Sequence, residues 1–464
     1  ILPWLFGVLC LGLIIKISNL FNKKQKISLA GVLLALATPA ITYLIVNENT
    51  DIYFAFFFLA TVYFLIRFFK ENAINCLVLA AIMLALSYWI KYLGLAAILA
   101  IFLVLAYVLI TRKFKFSFKH LIIFCLIVGI LILPHLLRNY FLFQNPIYPY
   151  LPNIFGGYLI DPWSINSISS FYHPSLFYNL SLGVIFNIDY GAVLLLFIPF
   201  LFIRKKNYEK FIMFAGIAYF IIWFIFLGSG NSNYTRLLLP SFLLFMLLGS
   251  RNFVLGYKPL EKKILLITIG LGILYTIYSW INIKTSGGLA FIYVAAKYTI
   301  TLLSMLCLFV FLFINKKEKL RTILLIILLL PSLFMAFGGF ADALIVRKDA
   351  FAAVSPKYLP GGDWMEANLP KDALILTFED RTYLIPRKVF PADTPLLKGI
   401  YLNMPVEQAV LLLKGYNISY VYPYGREDHI LYNRSVIYNN LDNSGYFTLV
   451  YNGTQKNERV YKVN

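Results

Sequence analysis

Leu93-Gly-Leu-Ala-Ala-Ile-Leu-Ala-Ile-Phe-Leu-Val-Leu-Ala-Tyr-Val-Leu-Ile-Thr111 carries no charge and is followed at once by Arg112-Lys113-Phe-Lys115. A helix that crosses a bilayer needs about 20 mostly apolar residues, because in lipid the backbone must satisfy its own hydrogen bonds. The stretch is therefore a membrane span. Lys and Arg collect in short cytoplasmic loops, so its cationic end is cytoplasmic.

The same pattern repeats on both sides. Candidate spans are 1–20, 28–46, 52–69, 76–90, 93–111, 120–138, 185–203, 211–229, 236–250, 264–283, 289–315 and 321–339. Spans 76–90 and 93–111 are interrupted by Lys91-Tyr92, which marks two helices where hydropathy alone invites one long one. Alternate connections are basic: Lys23-Lys24-Gln-Lys26, Arg67 with Lys70, Arg112 to Lys115, Arg204-Lys205-Lys206, Lys258 with Lys262-Lys263, and Lys316-Lys317 with Lys319 and Arg321. This alternation places residue 1 and the C-terminus outside.

Composition agrees, with 60% hydrophobic residues, 13% charged residues and a mean hydropathy of +0.77 in a 464-residue chain. The fold class expected is an α-helical polytopic membrane protein. The net charge of +20 is a topology signal and implies no nucleic-acid partner. Cys10, Cys76, Cys125 and Cys307 lie in or beside apolar segments without metal-type spacing, which implies neither a disulfide framework nor a zinc site. Because the chain opens with Ile-Leu-Pro-Trp on the outer side, a preceding helix is expected upstream.

Composition changes near residue 341. Residues 341–464 hold 13 of the 21 acids and 14 of the 41 basic residues, so the expected organisation is a transmembrane domain over 1–340, with an extracytoplasmic loop at 139–184, and a soluble extracytoplasmic α/β domain over 341–464. Helices are expected over 361–370 and 406–414, and strands over 373–378, 418–423, 446–451 and 460–463. Glycosylation sequons at Asn179, Asn233, Asn417, Asn433 and Asn452 all fall on the outer face.

The membrane part then keeps 21 − 13 = 8 acids. Glu71, Glu209, Glu261 and Glu318 read as solvated charges of the inner loops. Asp51 stands where a helix enters the membrane. A carboxylate there is costly without a partner, so Asp51 is either a functional group or the cap of the helix that follows.

Lys91, Arg138 and Arg236 are cations at the outer ends of spans, suited to an anionic partner such as a lipid phosphate or to interfacial snorkelling. Arg138-Asn139 and Asn145-Pro-Ile-Tyr-Pro149 can hold amide and phenol groups in a turn stiffened by proline. Farther along the loop, Trp163, Phe171, Tyr172 and His173 offer flat faces for a sugar or for the bilayer surface. No phosphate-binding glycine loop and no His/Cys ligand cluster is present; the few outer carboxylates leave a divalent metal open, and no other cofactor is indicated.

These residues resemble those of the GT-C class of polytopic glycosyltransferases, particularly the branch holding bacterial aminoarabinose transferase and the protein O-mannosyltransferases. The markers are Asp51 opening a Phe-rich helix, Lys91-Tyr-Leu-Gly-Leu95, Arg138-Asn139 with Asn145-Pro-Ile-Tyr-Pro149, and Arg236-Leu-Leu-Leu-Pro240. The resemblance implies thirteen helices, a large loop after the seventh and a terminal outer domain. Twelve spans plus one upstream meet that pattern.

It implies transfer of a sugar, with inversion, from a polyprenyl-phosphate (undecaprenyl or dolichyl) donor to a glycan, lipid or protein acceptor at the outer leaflet. The principal catalytic Asp would precede residue 1, and Asp51 would be the secondary acid. Lys91, Tyr92, Arg138, Asn139, Asn145, Tyr148 and Arg236 would bind substrate, with the three cations on the donor phosphate. The Trp-Trp-Asp signature of oligosaccharyltransferases is absent. A lipid-linked glycan ligase and a secondary transporter are the competing readings; the transporter lacks support from half-chain repeats or midplane charges.

Orientation is open to direct test in protein whose native cysteines are replaced. A membrane-impermeant thiol reagent should label Lys113→Cys only from the cytoplasmic side and Thr448→Cys only from outside. The reverse pattern would overturn the assigned topology.

Overall fold

The structure is a computed structural model that describes residues 2–21, 25–36, 50–91, 93–147, 206–227, 238–255, 258–281, 359–378, 385–392, 404–424, 435–453 and 458–464, with isolated positions between them. Nine long helices occupy the membrane part of these residues: α1 Leu2–Phe21, α2 Gln25–Leu36, α3 Asp51–Glu71, α4 Ile74–Ile90, α5 Gly94–Thr111, α6 Phe118–Phe143, α7 Asn207–Leu227, α8 Leu239–Leu255 and α9 Pro259–Ile281. Among the described residues, α1, α3, α5 and α6 are long and apolar enough to cross a membrane. The chain is a multi-pass membrane protein. The expected spans 185–203, 289–315 and 321–339 lie almost wholly outside the described residues.

The chain divides into two compact units, Ile1–Pro134 with Ser167–Asp342, and His135–Asn166 with Ala343–Asn464. In the first, α3 packs along α4, whose buried face reads Cys76, Leu77, Ala80, Ala81, Leu84 and Ala85. Small residues at that spacing let two backbones approach closely, which is how helices adhere where lipid removes the hydrophobic drive. By contrast, α6 is mostly exposed along its apolar length. Its Pro134 donates no backbone N–H, and close to this break the Trp89 indole of α4 donates to the Leu131 carbonyl at 3.0 Å.

The helix ends beside the basic loops are closed by local chemistry. Asn72 and Arg112 adopt left-handed backbone (φ 55° and 49°) and return their N–H groups to Phe68 O and Val108 O, ending α3 and α5. Phe69 stacks on Phe114 at 4.6 Å and meets Phe211 edge-on at 5.1 Å, joining α3, the α5–α6 connection and α7. His120 sits in the first turn of α6 and accepts from Ser117 N–H at 3.1 Å.

Two acids expected to be solvated are not. Glu209 and Glu261 are 1% and 5% exposed, and each stands at the third helical position, accepting the backbone N–H of Lys206 (2.9 Å) or Lys258 (3.0 Å). This is the reciprocal half of a capping box, and in α9 Pro259 occupies the first position, where a missing N–H costs nothing. Glu209 also pairs with Arg251 of α8. Glu71 does remain exposed, paired with Arg67, and Glu318 lies outside the described residues.

In the second unit, strands β1 Leu374–Thr377, β2 Lys388–Pro391, β3 Ile418–Tyr422, β4 Phe447–Tyr451 and β5 Val460–Val463 form one sheet of order β2-β1-β3-β5-β4. β1 runs parallel to β2 and β3, whereas β5 is antiparallel to β3 and β4. Three short helices accompany it: α10 Gly362–Asn368, α11 Val406–Gly415 and α12 Val436–Asn439.

Alternation sends Leu376 and Val421 into one core with Ala409 and Leu413 of α11, and Ile375 and Tyr422 into another with Met365 of α10. The sheet is thus covered on both faces. Arg387 closes α10 by donating to the carbonyls of Glu366 (2.6 Å) and Leu369 (2.7 Å). All four expected strands and both expected helices form here; β2 and the one-turn α12 were not anticipated.

Glu209→Ala should lower the apparent stability of detergent-solubilised protein by about 3 kcal/mol, because it leaves Arg251 uncompensated and uncaps α7. In a double-mutant cycle with Arg251→Ala, the second change should cost far less than it does alone.

Candidate functional site

Asp51 is the first residue of α3, and Thr50 precedes it without a side-chain capping bond. The carboxylate does not cap the helix. Instead it accepts a hydrogen bond from the Lys91 ammonium at 2.5 Å, with the Asp51 side chain 2% exposed and that of Lys91 16% exposed. A carboxylate so enclosed is tolerable only with a counter-charge, and the helix N-terminus adds a favourable dipole.

Lys91 reaches this position because α4 stops one residue earlier. Lys91 is extended (φ −155°, ψ 139°), and the chain re-enters helix at Gly94, whose N–H donates to Lys91 O at 2.8 Å. The turn is so tight that a Cβ on Gly94 would lie 2.2 Å from Tyr88 Cα and 2.4 Å from Tyr88 N. Only glycine fits there. The Lys91-Tyr92 break expected from sequence is therefore real, and its geometry depends on Gly94, which the sequence reading quoted within Lys91-Tyr-Leu-Gly-Leu95 without assigning it a role.

Asp51 shares its helix face with Phe54 and Phe58. The ring of Tyr219, on α7, packs against both at 5.9 and 5.3 Å, wholly buried and near enough to feel the Asp51 charge. Cys10 of α1 contributes a thiol at 3.8 Å from the Ile52 carbonyl. Tyr219 had no distinguishing signal in the sequence, since an aromatic in an apolar helix is usually core.

Arg138 is exposed near the end of α6. The helix closes at Gln144, which has left-handed backbone (φ 57°) and donates to Tyr140 O at 2.8 Å. Asn139 donates to the Pro146 carbonyl at 3.4 Å, and Asn145 Oδ1 accepts from Ile147 N–H at 3.0 Å. Both amides are buried and hold the turn together. Tyr92, Tyr148 and Arg236 lie outside the described residues. Among the described residues no group of three or more His, Cys, Asp or Glu side chains could hold a metal ion.

Residues 1–137 match the family described as dolichyl-phosphate-mannose-protein mannosyltransferase, a segment that contains both Asp51 and Lys91. The structure is similar to that of ArnT from Cupriavidus metallidurans in the apo state, at a TM-score of 0.57 and 14% identity over 99% of this chain and 82% of that one. The two chains share a fold. Against ArnT bound to undecaprenyl phosphate, the TM-score is 0.54 at 13% identity, covering 100% of this chain and 83% of that one. No curated protein matches the sequence.

Lys91→Met should lower apparent stability by about 3 kcal/mol by removing the ammonium from a buried carboxylate, and Asp51→Asn in the same chain should recover most of the loss. Gly94→Ala should be at least as damaging, measured by thermal unfolding in detergent.

Proposed function

We propose that the chain is a membrane glycosyltransferase that moves a hexose or pentose from a polyprenyl-phosphate donor to a glycan, lipid or protein acceptor on the extracytoplasmic side, with inversion at the anomeric carbon. The observation that carries this reading is the buried Asp51–Lys91 pair at the membrane-entry end of α3, in a GT-C fold and within the segment that matches the mannosyltransferase family.

The pair suits both halves of the reaction. Its carboxylate, hydrogen-bonded by Lys91, can orient the acceptor hydroxyl or tune a second acid. The Lys91 ammonium has three donors and gives one to Asp51, so it can also meet the donor phosphate. Negative charge grows on that phosphate as the glycosidic bond breaks, and fixed cations stabilise it most in the transition state.

Arg138 serves the same phosphate with a planar fork of donors, joined by Arg236. Asn139 and Asn145 shape the turn that follows Arg138, and Tyr92 and Tyr148 complete the substrate contacts. The division into a membrane domain over 1–340 and an outer α/β domain over 341–464 belongs to the same proposal. The basic alternate loops support it.

Purified full-length protein in detergent should transfer sugar from a polyprenyl-phosphate donor with no compartment to cross; activity confined to sealed vesicles would sink the enzyme reading in favour of transport. Asp51→Asn should lower turnover about a hundredfold. Arg138→Ala should raise the donor KM about tenfold. Wild-type rates in both variants would remove them from the site.

A further inference from the structure

Trp223 follows Tyr219 by one turn on the same face of α7. It is wholly buried, and its indole N–H has no hydrogen-bond partner among the described residues. Native interiors rarely leave a donor in that state, because desolvation is then uncompensated. Ser18 Oγ is likewise without a partner among them but belongs to the opposite, basic-loop end of α1.

The level of Trp223 follows from the antiparallel register of its neighbours. Phe69 of α3 meets Phe211 of α7, and farther along Phe58 and Phe54 meet Tyr219. One more turn brings Trp223 level with Asp51. Helix α5 supports this placement: Tyr107 packs on Phe214 at 4.6 Å, so Trp223, nine residues on, falls opposite Ile98, about one turn from the Gly94 start of α5.

We infer that Trp223 is a substrate-binding residue whose indole N–H donates to a substrate oxygen beside the Asp51–Lys91 pair. This rests on the glycosyl-transfer reading above. Indole is a donor without an acceptor and carries no charge, so its partner is an oxygen lone pair, and it adds specificity without disturbing the balance of the ion pair. Two oxygens of this chemistry are available: a phosphate oxygen of the lipid-linked donor, and the acceptor hydroxyl.

Trp223→Phe keeps the flat ring and removes the N–H. The full-length variant and the wild type are compared in detergent for binding of undecaprenyl phosphate and for steady-state transfer. Either the Kd for the carrier or the KM for the acceptor should rise about five- to tenfold, as for one lost hydrogen bond, while kcat changes less than twofold and the melting temperature does not fall. Weaker carrier binding assigns the indole to the phosphate; a raised acceptor KM with unchanged carrier binding assigns it to the hydroxyl.

Unchanged Kd and KM values would show a core tryptophan and overturn the inference. A wild type that transfers no sugar would overturn the proposed function instead, and carrier binding by the two proteins would still decide the indole.

Discussion

A lysine and an aspartate forty residues apart meet at 2.5 Å in a place neither could occupy alone. Burial makes each charge expensive, and their pairing offsets that cost. The pair in turn fixes where α3 may begin and where α4 must end. Everything around it serves that constraint: the small-residue face that brings α4 against α3, the glycine that lets the chain double back, and the Trp89 bond that ties the end of α4 to α6. A stability feature and a chemical one coincide here, since the same enclosure that forces the pairing also strengthens any electrostatic contact with a bound phosphate.

Much of the fold was legible because membrane insertion imposes coarse rules. Uninterrupted apolar length and alternating basic loops locate α1 and α3 to α9 to within a few residues, whereas α2 ends at Leu36, short of the span expected to reach 46; turn chemistry with period-two alternation locates four strands and two helices of the C-terminal sheet. What escaped was governed by finer or nonlocal physics. Glu209 and Glu261 looked solvated because their N-caps are Lys206 and Lys258, which carry none of the usual Ser or Thr signature. Lys388-Val-Phe-Pro391 is too short and too broken by proline to announce a strand, yet at a sheet edge it needs only one paired side.

The candidate site was half legible. Asp51 and Lys91 were each conspicuous as charges in a sparsely charged membrane part, but their pairing is a tertiary fact that no local pattern encodes. Lys91 was expected to await a ligand phosphate, and the chain itself supplies its first anion. Asn139 and Asn145 were expected as substrate-binding residues, and the bracing of the turn by their amides is a further part that only the fold reveals. Gly94 shows the reverse case: its neighbours Lys91 and Tyr92 drew attention, whereas the steric demand falls on the residue with no side chain.

The sheet order has a consequence for how this domain behaves among its copies. Among the described residues its two margins are β2 and β4, the places where another strand could add. One margin begins with Lys388 and ends in Pro391, which has no N–H to offer. Just past the other stands Asn452-Gly-Thr454, so a glycan attached there would shield that margin with a hydrated, bulky cap. Charge and proline on one side and a sugar on the other would keep copies of this domain from zipping together strand to strand.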